Sequence, residues 1–130
     1  MHDTIGDFLT IIRNASRAGN KACIAHLSKL RLGIAKILKD EGFIRDYREL
    51  RTAVNGKKIE ILLKYIDQQP LIVGIERYSK PGCRIYCGAD EIPRVLNGLG
   101  LAIISTSKGL LKGSDARRQR AGGEIIAKIW

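Results

Sequence analysis

Three adjacent hydroxyl side chains, those of Ser105, Thr106 and Ser107, are the residues of this sequence best suited to contact a ligand. They end an apolar segment, and the chain continues with Lys108 and Gly109. Each hydroxyl can donate and accept a hydrogen bond, so the group suits base edges, ribose hydroxyls and phosphate oxygens. The glycine allows a ligand to approach the backbone. The pattern predicts a recognition surface, with an ordinary strand end as the alternative.

Two nearby groups have the same chemical character. Arg84 and Tyr86 alternate along a predicted strand and therefore share one face, where a cation and an aromatic ring can clamp a nucleotide. The paired glycines Gly122 and Gly123 permit a bend and a close backbone approach. Glu124 follows them and can accept hydrogen bonds from base amines or hold neighbouring cationic and hydroxyl side chains. A core or rim aromatic and a structural turn glutamate are the alternatives.

Metal binding and catalysis have weaker support in the sequence. Cys83 and Cys87 lie four residues apart, but no second pair of ligands accompanies them, whereas structural zinc usually needs four. A serine nucleophile at position 105 or 107 needs a base, and neither histidine lies near these serines in the sequence. We therefore expect no metal, no cofactor and no enzymatic activity. A hydrolase that uses Ser105 or Ser107 is the remaining enzymatic alternative.

The charge of the chain indicates its type of partner. The 130 residues carry a formal net charge of +10, which favours a polyanion, and nucleic acid is the commonest one. Residues 13–39 contain seven basic and no acidic residues, and residues 105–120 contain five basic residues and one acidic residue. These two windows predict two phosphate contacts. Two solvated surfaces are the alternative.

Composition indicates the cellular compartment of the protein. With 45% hydrophobic residues the chain can bury a core, and its apolar runs are far shorter than the ~20 residues of a membrane span. The first residues lack the apolar segment of a secretory signal. Three cysteines are too few for a disulfide scaffold. We therefore expect a cytoplasmic protein without a membrane partner.

Apolar periodicity predicts an N-terminal αβαββ unit. Residues 4–14 and 28–41 have helical spacing, and Ser28 is the predicted N-cap of the second helix. Asn55 and Gly56 suit a tight turn between two strands. The predicted strands are residues 21–27, 43–50 and 57–65.

The second half is predicted to be mainly β, after a short linker at residues 68–70. Residues 91–97 are predicted to form one or two helical turns, residues 108–120 a basic connection, and Pro81-Gly82 a type II turn. The predicted strands are residues 71–78, 83–87, 99–106 and 124–130. The expected fold class is α+β, with two small packed domains: residues 1–67, αβαββ, and residues 68–130, mainly β.

Several segments resemble, in the same order, the S8 family of small-subunit ribosomal proteins. They are DTIGDFLTIIRNA, SKLRLGIAKILKDEGFI, SKPGCRIYCGADEIPRVLNGLG, GLGLAIISTSKG and AGGEIIAKIW. The resemblance implies a structural component of the small ribosomal subunit that binds directly to the central domain of its rRNA and supports assembly. Neighbouring ribosomal proteins are further implied partners, and the protein's own messenger RNA is one that varies within the family. A free regulatory RNA-binding protein is the alternative.

The resemblance also implies which residues contact RNA. The principal contact would be the hydroxyl cluster, with Tyr86 and the three residues that follow Ala121 beside it. The residue pattern adds Lys108 and Arg84 to this predicted contact. A second contact would come from the N-terminal half. The implied residues are Ser105, Thr106, Ser107, Tyr86, Gly122, Gly123 and Glu124 for the first, and Thr4, Arg13, Asn14, Ser28 and Lys29 for the second.

The chain departs from the family pattern in two places. After Gly109 the usual capping acid of a short helix is missing, and Ser114 is the expected substitute cap. Before Ser28 the pair His26-Leu27 stands where the family usually has proline. Neither change removes the hydroxyl cluster.

Overall fold

The computed structural model describes residues 4–52 and 56–130. The described chain divides into two compact units. The first unit is Asp7–Val73, and the second unit is Gly74–Trp130 together with residues 4–6. The predicted turn residue Asn55 lies outside the described residues, whereas Gly56 has the positive φ of 72° that favours glycine.

The first unit contains the predicted αβαββ order. The elements are α1 (Thr4–Arg17), which begins in the residues grouped with the second unit, β1 (Ala22–His26), α2 (Lys29–Asp40), β2 (Ile44–Thr52) and β3 (Gly56–Leu63). These three strands form one antiparallel sheet in the order β1-β3-β2.

Amphipathic patterning explains this unit. The apolar face of α1 buries Phe8 and Ile12, and that of α2 buries Ile34 and Leu38, since apolar residues at spacings of three and four share one helix face. The side chains of β3 alternate, with every second residue buried. The predicted cap is confirmed: the Ser28 hydroxyl accepts a hydrogen bond from the Arg31 backbone N–H at 3.1 Å.

A two-stranded hairpin occupies the predicted linker. The strands β4 (Tyr65–Ile66) and β5 (Gln69–Pro70) pair, and Asp67 and Gln68 between them both have positive φ values, 52° and 65°. Two such residues form the tight turn whose twist suits a hairpin. The linker prediction missed this turn because neither residue is a glycine.

The second unit is mainly strand, as predicted. The elements are β6 (Ile75–Arg77), β7 (Tyr86–Cys87), β8 (Leu101–Thr106), β9 (Gly109–Lys112), α3 (Gly113–Arg118) and β10 (Gly123–Ile129). The sheet has the order β6-β10-β8-β9, and β7 also pairs with β10. Two 3-10 turns, Ala89–Glu91 and Leu96–Gly98, complete the unit.

Several details of the second unit differ from the sequence prediction. Residues 109–112, predicted as connection, form a fifth strand that pairs with β8, and the predicted strands 71–78 and 83–87 shorten to β6 and β7. The turn from Lys80 to Cys83 forms, with backbone hydrogen bonds of 2.9 and 3.1 Å. Gly82 lacks the positive φ of a type II turn, so that turn type was wrong.

A cluster of small and branched apolar side chains forms the core of the second unit. Ala116 of α3 and the two residues of the 3-10 region pack there against side chains of β8 and β10. These elements therefore cover one face of the sheet. Its buried members are Ile92, Val95, Ala102, Ile104, Ala116 and Ile125. No helix of the described residues is long and apolar enough to cross a membrane.

Candidate functional site

The second sheet places three of the predicted site residues side by side. Strand β10 lies between β7 and β8, and Glu124 is paired with Tyr86 on one side and with Ser105 on the other. Side chains directly opposite each other on neighbouring strands share a face, with their Cβ atoms ~5 Å apart. Residues that are up to 38 positions apart in the sequence, at 86, 105 and 124, therefore form one row.

The hydroxyl cluster spans the end of β8 and the turn that leads to β9. Thr106 pairs with Gly109 across this turn. The Thr106 hydroxyl accepts a hydrogen bond from the Lys108 backbone N–H at 3.0 Å and donates one to the Gly109 carbonyl at 2.9 Å. Gly109 has a φ of 100°, which favours glycine. The Thr106 hydroxyl therefore shapes the turn, while Ser107 and Lys108 are exposed at its tip.

The paired glycines precede the row and give it its close spacing. A Cβ atom on Gly123 would lie 2.0 Å from the Ser105 carbonyl oxygen, and one on Gly122 would lie 2.6 Å from the Cys87 carbonyl oxygen. Neither glycine has a positive φ. Glycine is needed at both positions because a Cβ atom would not fit, and not because of the backbone conformation. The predicted close backbone approach is confirmed, and it is an approach of β8 and β7 to the start of β10.

Glu124 is held by two side chains. The Ser79 hydroxyl donates to its Oε2 atom, and Arg84 donates to the same oxygen at 3.0 Å. Burial raises the pKa of this carboxyl, but the hydrogen bonds from Ser79 and Arg84 outweigh burial and hold its pKa below the ordinary value. Glu124 is therefore an ionised acceptor, and both of these bonds go to Oε2 rather than Oε1.

Ser79 is the functional residue that sequence reasoning missed. It is fully buried, and its hydroxyl also accepts a hydrogen bond from the Ile85 backbone N–H at 3.2 Å. The carbonyl of Ile85 in turn accepts from the Ile125 N–H at 2.9 Å. Ser79 thus ties the segment that carries Arg84 and Tyr86 to Glu124. A single serine between two predicted strands gives no signal of this role.

Tyr86 and Arg84 differ in their solvent exposure and in their partners. Tyr86 is 69% exposed, so its ring is a surface group and not part of the core. The head group of Arg84 is engaged with Glu124. The pair therefore does not act as a symmetrical clamp: the ring is available, and the guanidinium also orients a carboxylate.

The second basic window is only partly a free cationic surface. Arg118 forms an ion pair with Asp115 at 2.8 Å, and Arg117 donates to the Ile92 carbonyl at 3.4 Å. Lys108 and Arg120 are exposed. The expected cap by Ser114 was wrong, because α3 begins at Gly113 and its N-cap position is Lys112, without a side-chain cap.

The predicted N-terminal contact residues lie on the two helices. Ser28 and Lys29 are exposed where α2 begins, and the positive end of the helix dipole favours anions there. Thr4 is the first residue of α1, and Arg13 and Asn14 lie near its end, so the length of that helix separates them.

One cation of the first window is structural. Arg31 is buried, its guanidinium donates to the His26 carbonyl at 3.1 Å, and it lies 5.4 Å from the centre of the Phe8 ring. It therefore stabilises the first unit rather than adding to the surface charge.

The cysteines give no metal centre within the part of the chain that the structure describes. No group of three or more potential ligands among histidine, cysteine, aspartate and glutamate converges there. Cys23, Cys83 and Cys87 are free thiols. Burial and the nearby Glu60 raise the pKa of Cys23 to about 11, so this thiol stays protonated at neutral pH.

The chain is similar along its whole length to known proteins. Residues 3–130 match the family described as Ribosomal protein S8. A protein of Opitutus terrae named small ribosomal subunit protein uS8 is 52% identical over the full length of both chains. Proteins of the same name are 50% identical in Anaeromyxobacter dehalogenans, covering 98% of this chain and 97% of the relative, and in Leuconostoc mesenteroides, covering 100% and 98%.

These similarities, with the α+β fold and its basic surfaces, define a ribosomal protein. The chain belongs to the ribosomal protein S8 family, so the resemblance seen in its sequence is confirmed. This is a family of structural proteins, and the chain is not an enzyme.

Proposed function

We propose that this protein is a structural component of the small ribosomal subunit that binds directly to the central domain of its rRNA and supports assembly. Family membership supports the ribosomal role. The observation that carries the binding proposal is the row formed by Tyr86, Glu124 and Ser105 beside the exposed tip of the turn. An aromatic face, an ionised acceptor and hydroxyls lie together there.

The second unit supplies the principal contact in this proposal. Lys108 and Arg120 displace counterions from phosphates, which makes the affinity depend on salt. Ser107, the Tyr86 ring and the Oε1 atom of Glu124 contact bases and riboses. Regular A-form RNA hides its base edges from side chains, so the target is an irregular helix with unstacked bases.

A carboxylate in a cationic surface adds selectivity. Glu124 repels phosphates and accepts hydrogen bonds, so it favours a base that presents an amine. Arg84 and Ser79 keep the carboxylate ionised and in one orientation. Gly122 and Gly123 belong to the site because they allow β7 and β8 to approach β10 closely enough for the row to form.

The first unit supplies the second contact. Ser28 accepts one hydrogen bond as a cap, so its own proton is free to donate to a phosphate, next to the ammonium of Lys29. Thr4, Arg13 and Asn14 extend this contact along α1. In this assignment residues 1–67 orient the protein on RNA and residues 68–130 provide specificity.

The proposal includes the remaining partners. Neighbouring small-subunit proteins contact the surfaces that RNA leaves free, and the protein is cytoplasmic because ribosomes assemble there in bacteria. A segment of its own messenger with the same irregular helix would present the same groups, and we include it as a second ligand of the principal contact.

Chemical footprinting of small-subunit rRNA with and without the protein tests the proposal. We expect protection of an irregular helix in the central domain. Ser107→Ala should weaken binding to that helix about threefold to tenfold, the worth of one hydrogen bond, and leave binding to random duplex unchanged. Lys36→Ala is the matched control and should weaken both alike. Equal losses on both RNAs for Ser107→Ala would contradict the assignment.

A further inference from the structure

A groove of about 600 Å³ lies at one end of the three-stranded sheet of the first unit. It lies at the opposite end of β1 from Ser28 and Lys29, because Lys21 precedes β1 and Ser28 follows its other end, which places about 20 Å of extended chain between them. The groove is lined by Lys21, Arg45, Leu62, Leu63, Lys64 and Tyr65.

Sheet topology brings the three cations of the groove together. Strand β3 is antiparallel to both of its neighbours, so its end lies beside the beginnings of β1 and β2. Lys21 directly precedes β1, and Lys64 directly follows β3. The Leu63 backbone N–H donates to the Lys21 carbonyl at 2.9 Å. Because neighbouring strands lie about 4.8 Å apart, the cations span about 10 Å across the sheet.

Arg45 enters the groove through a β-bulge. Ile44 is paired with Leu63 and Asp46 with Leu62, so Arg45 is the extra residue between two paired positions. A bulge bends its strand and redirects the side chain of the extra residue. Arg45 is exposed and lines the groove beside Lys64.

The positive charge of the groove is uncompensated. Lys21, Arg45 and Lys64 are all exposed. The lining contains no carboxylate. The Asp46 carboxylate, next to Arg45 in the sequence, pairs with Lys39, and the Glu60 carboxylate pairs with Arg48. Three exposed cations without carboxylate partners attract an anionic ligand to the groove.

The charged side chains of the groove are donors, and two of its backbone carbonyls are already bonded. The Lys21 carbonyl accepts from Leu63, and the Lys64 carbonyl accepts from the Leu71 N–H at 3.0 Å. The Tyr65 hydroxyl donates to the Asn20 carbonyl at 2.5 Å. An acidic peptide brings backbone N–H groups that need acceptors, whereas a phosphodiester brings only oxygen acceptors. The lining therefore suits a nucleic acid better than a peptide.

We propose that this groove binds the sugar–phosphate backbone of an RNA strand, as a third contact beside the two described above. Lys21, Arg45 and Lys64 neutralise successive phosphates. The Tyr65 ring, fixed by the hydrogen bond of its hydroxyl, provides an aromatic surface for a ribose or base. The inference rests on the proposed function, since it assumes that the protein binds RNA.

Lysine acetylation of the full-length protein, measured residue by residue by mass spectrometry, tests the groove. The probe is a 24-nucleotide oligouridylate at low salt, with poly-glutamate of equal charge in a parallel sample. We expect the RNA to reduce modification of Lys21 and Lys64 at least threefold and poly-glutamate to reduce it less. Equal reactivity with and without RNA would overturn the proposal, and stronger protection by poly-glutamate would identify a peptide site instead.

Lys108 in the same samples separates this inference from the proposed function. Protection of Lys108 without protection of Lys21 and Lys64 leaves the proposed function standing and refutes the groove. No protection at any of the three lysines refutes the groove, and the rRNA footprint then decides the proposed function separately.

Matched double variants give a second measurement. In Arg45→Gln/Lys64→Gln, the slope of log affinity against log salt should become shallower by about 1.4, because each phosphate contact on a single strand contributes ~0.7. The control Arg51→Gln/Lys80→Gln removes one arginine and one lysine that are exposed and lie outside the groove. Its slope should stay unchanged. Equal slopes for the two variants would refute a groove contact.

Discussion

Replacing Ser79 by alanine removes the buried hydroxyl that joins Glu124 to the segment carrying Arg84 and Tyr86. The substitution leaves the Ile85 N–H without its acceptor and leaves Glu124 with Arg84 as its remaining side-chain donor. Alanine fits the space of serine without its oxygen, so the change isolates the hydrogen bonds. The row on the second sheet loses the hydroxyl that holds Glu124 in place, while its strands can still pair.

The magnitude follows from the two bonds. A hydrogen bond to a charged group contributes about 1.5–3 kcal/mol, and one between neutral groups contributes about 0.5–1.5 kcal/mol. Ser79 is fully buried, so water cannot replace its oxygen in place. We therefore expect Ser79→Ala to lower the free energy of unfolding by about 2–4 kcal/mol. At a typical urea m-value this shifts the midpoint by about 1–2 M.

Urea unfolding monitored by tryptophan fluorescence is the assay. The single tryptophan of the chain is Trp130, which lies in the second unit with Ser79, so its signal reports the unit that is perturbed. Ser114→Ala is the control, because Ser114 is exposed on α3, and it should change stability by less than about 0.5 kcal/mol.

A double-mutant cycle with Glu124→Gln identifies the partner of the lost bond. Ser79→Ala should cost at least about 1 kcal/mol less in the Glu124→Gln background than in the wild type, because the charged acceptor is already gone. A cost within about 0.5 kcal/mol of zero for Ser79→Ala, or a cost that is the same in both backgrounds, would refute the reasoning.

Three further outcomes follow from the same contacts. Gly123→Ala should destabilise by about 2 kcal/mol or more in urea unfolding, since its Cβ meets the Ser105 carbonyl at 2.0 Å, whereas Gly82→Ala, with open space around it, should change little. Ser28→Ala should cost about 1 kcal/mol, seen as reduced stability by circular dichroism, because α2 loses its cap. The pKa of Glu124 is lower in the folded state, so its stabilising contribution is present above its unfolded-state pKa and is lost as the pH falls through its folded-state pKa. The stability of the Glu124→Gln variant should therefore depend less on pH in the acid range. An identical pH profile for the variant and the wild type would contradict this.

Much of the fold was predictable because local signals agreed with tertiary packing. The periodicity of α1 and α2 and the cap at Ser28 required no knowledge of distant contacts. The order of elements in the first unit followed directly. The hairpin at Asp67-Gln68 and strand β9 could not be found this way, because both depend on pairing partners that local composition does not specify.

The sequence predicted which residues belong to the candidate site better than it predicted what each of them does. Resemblance and residue type selected Thr106 and Glu124, but the Thr106 hydroxyl is engaged within its own turn, and Glu124 is engaged with Ser79. Such roles depend on strand register, which places positions 86, 105 and 124 in one row. No spacing along the chain encodes that register.

Counting charge in sequence windows misplaces part of the cationic surface. The window from residue 13 to 39 includes Arg31, which is buried against Phe8, while the groove draws Arg45 and Lys64 from outside both windows. The reason is geometric: an antiparallel sheet brings the end of one strand beside the starts of its neighbours, whatever their distance in sequence. A cation contributes to binding phosphate only if it is exposed and has no carboxylate partner, and both conditions are set by tertiary contacts. The distribution of free cations over the folded surface, rather than the formal charge of +10, therefore determines where RNA can bind this protein.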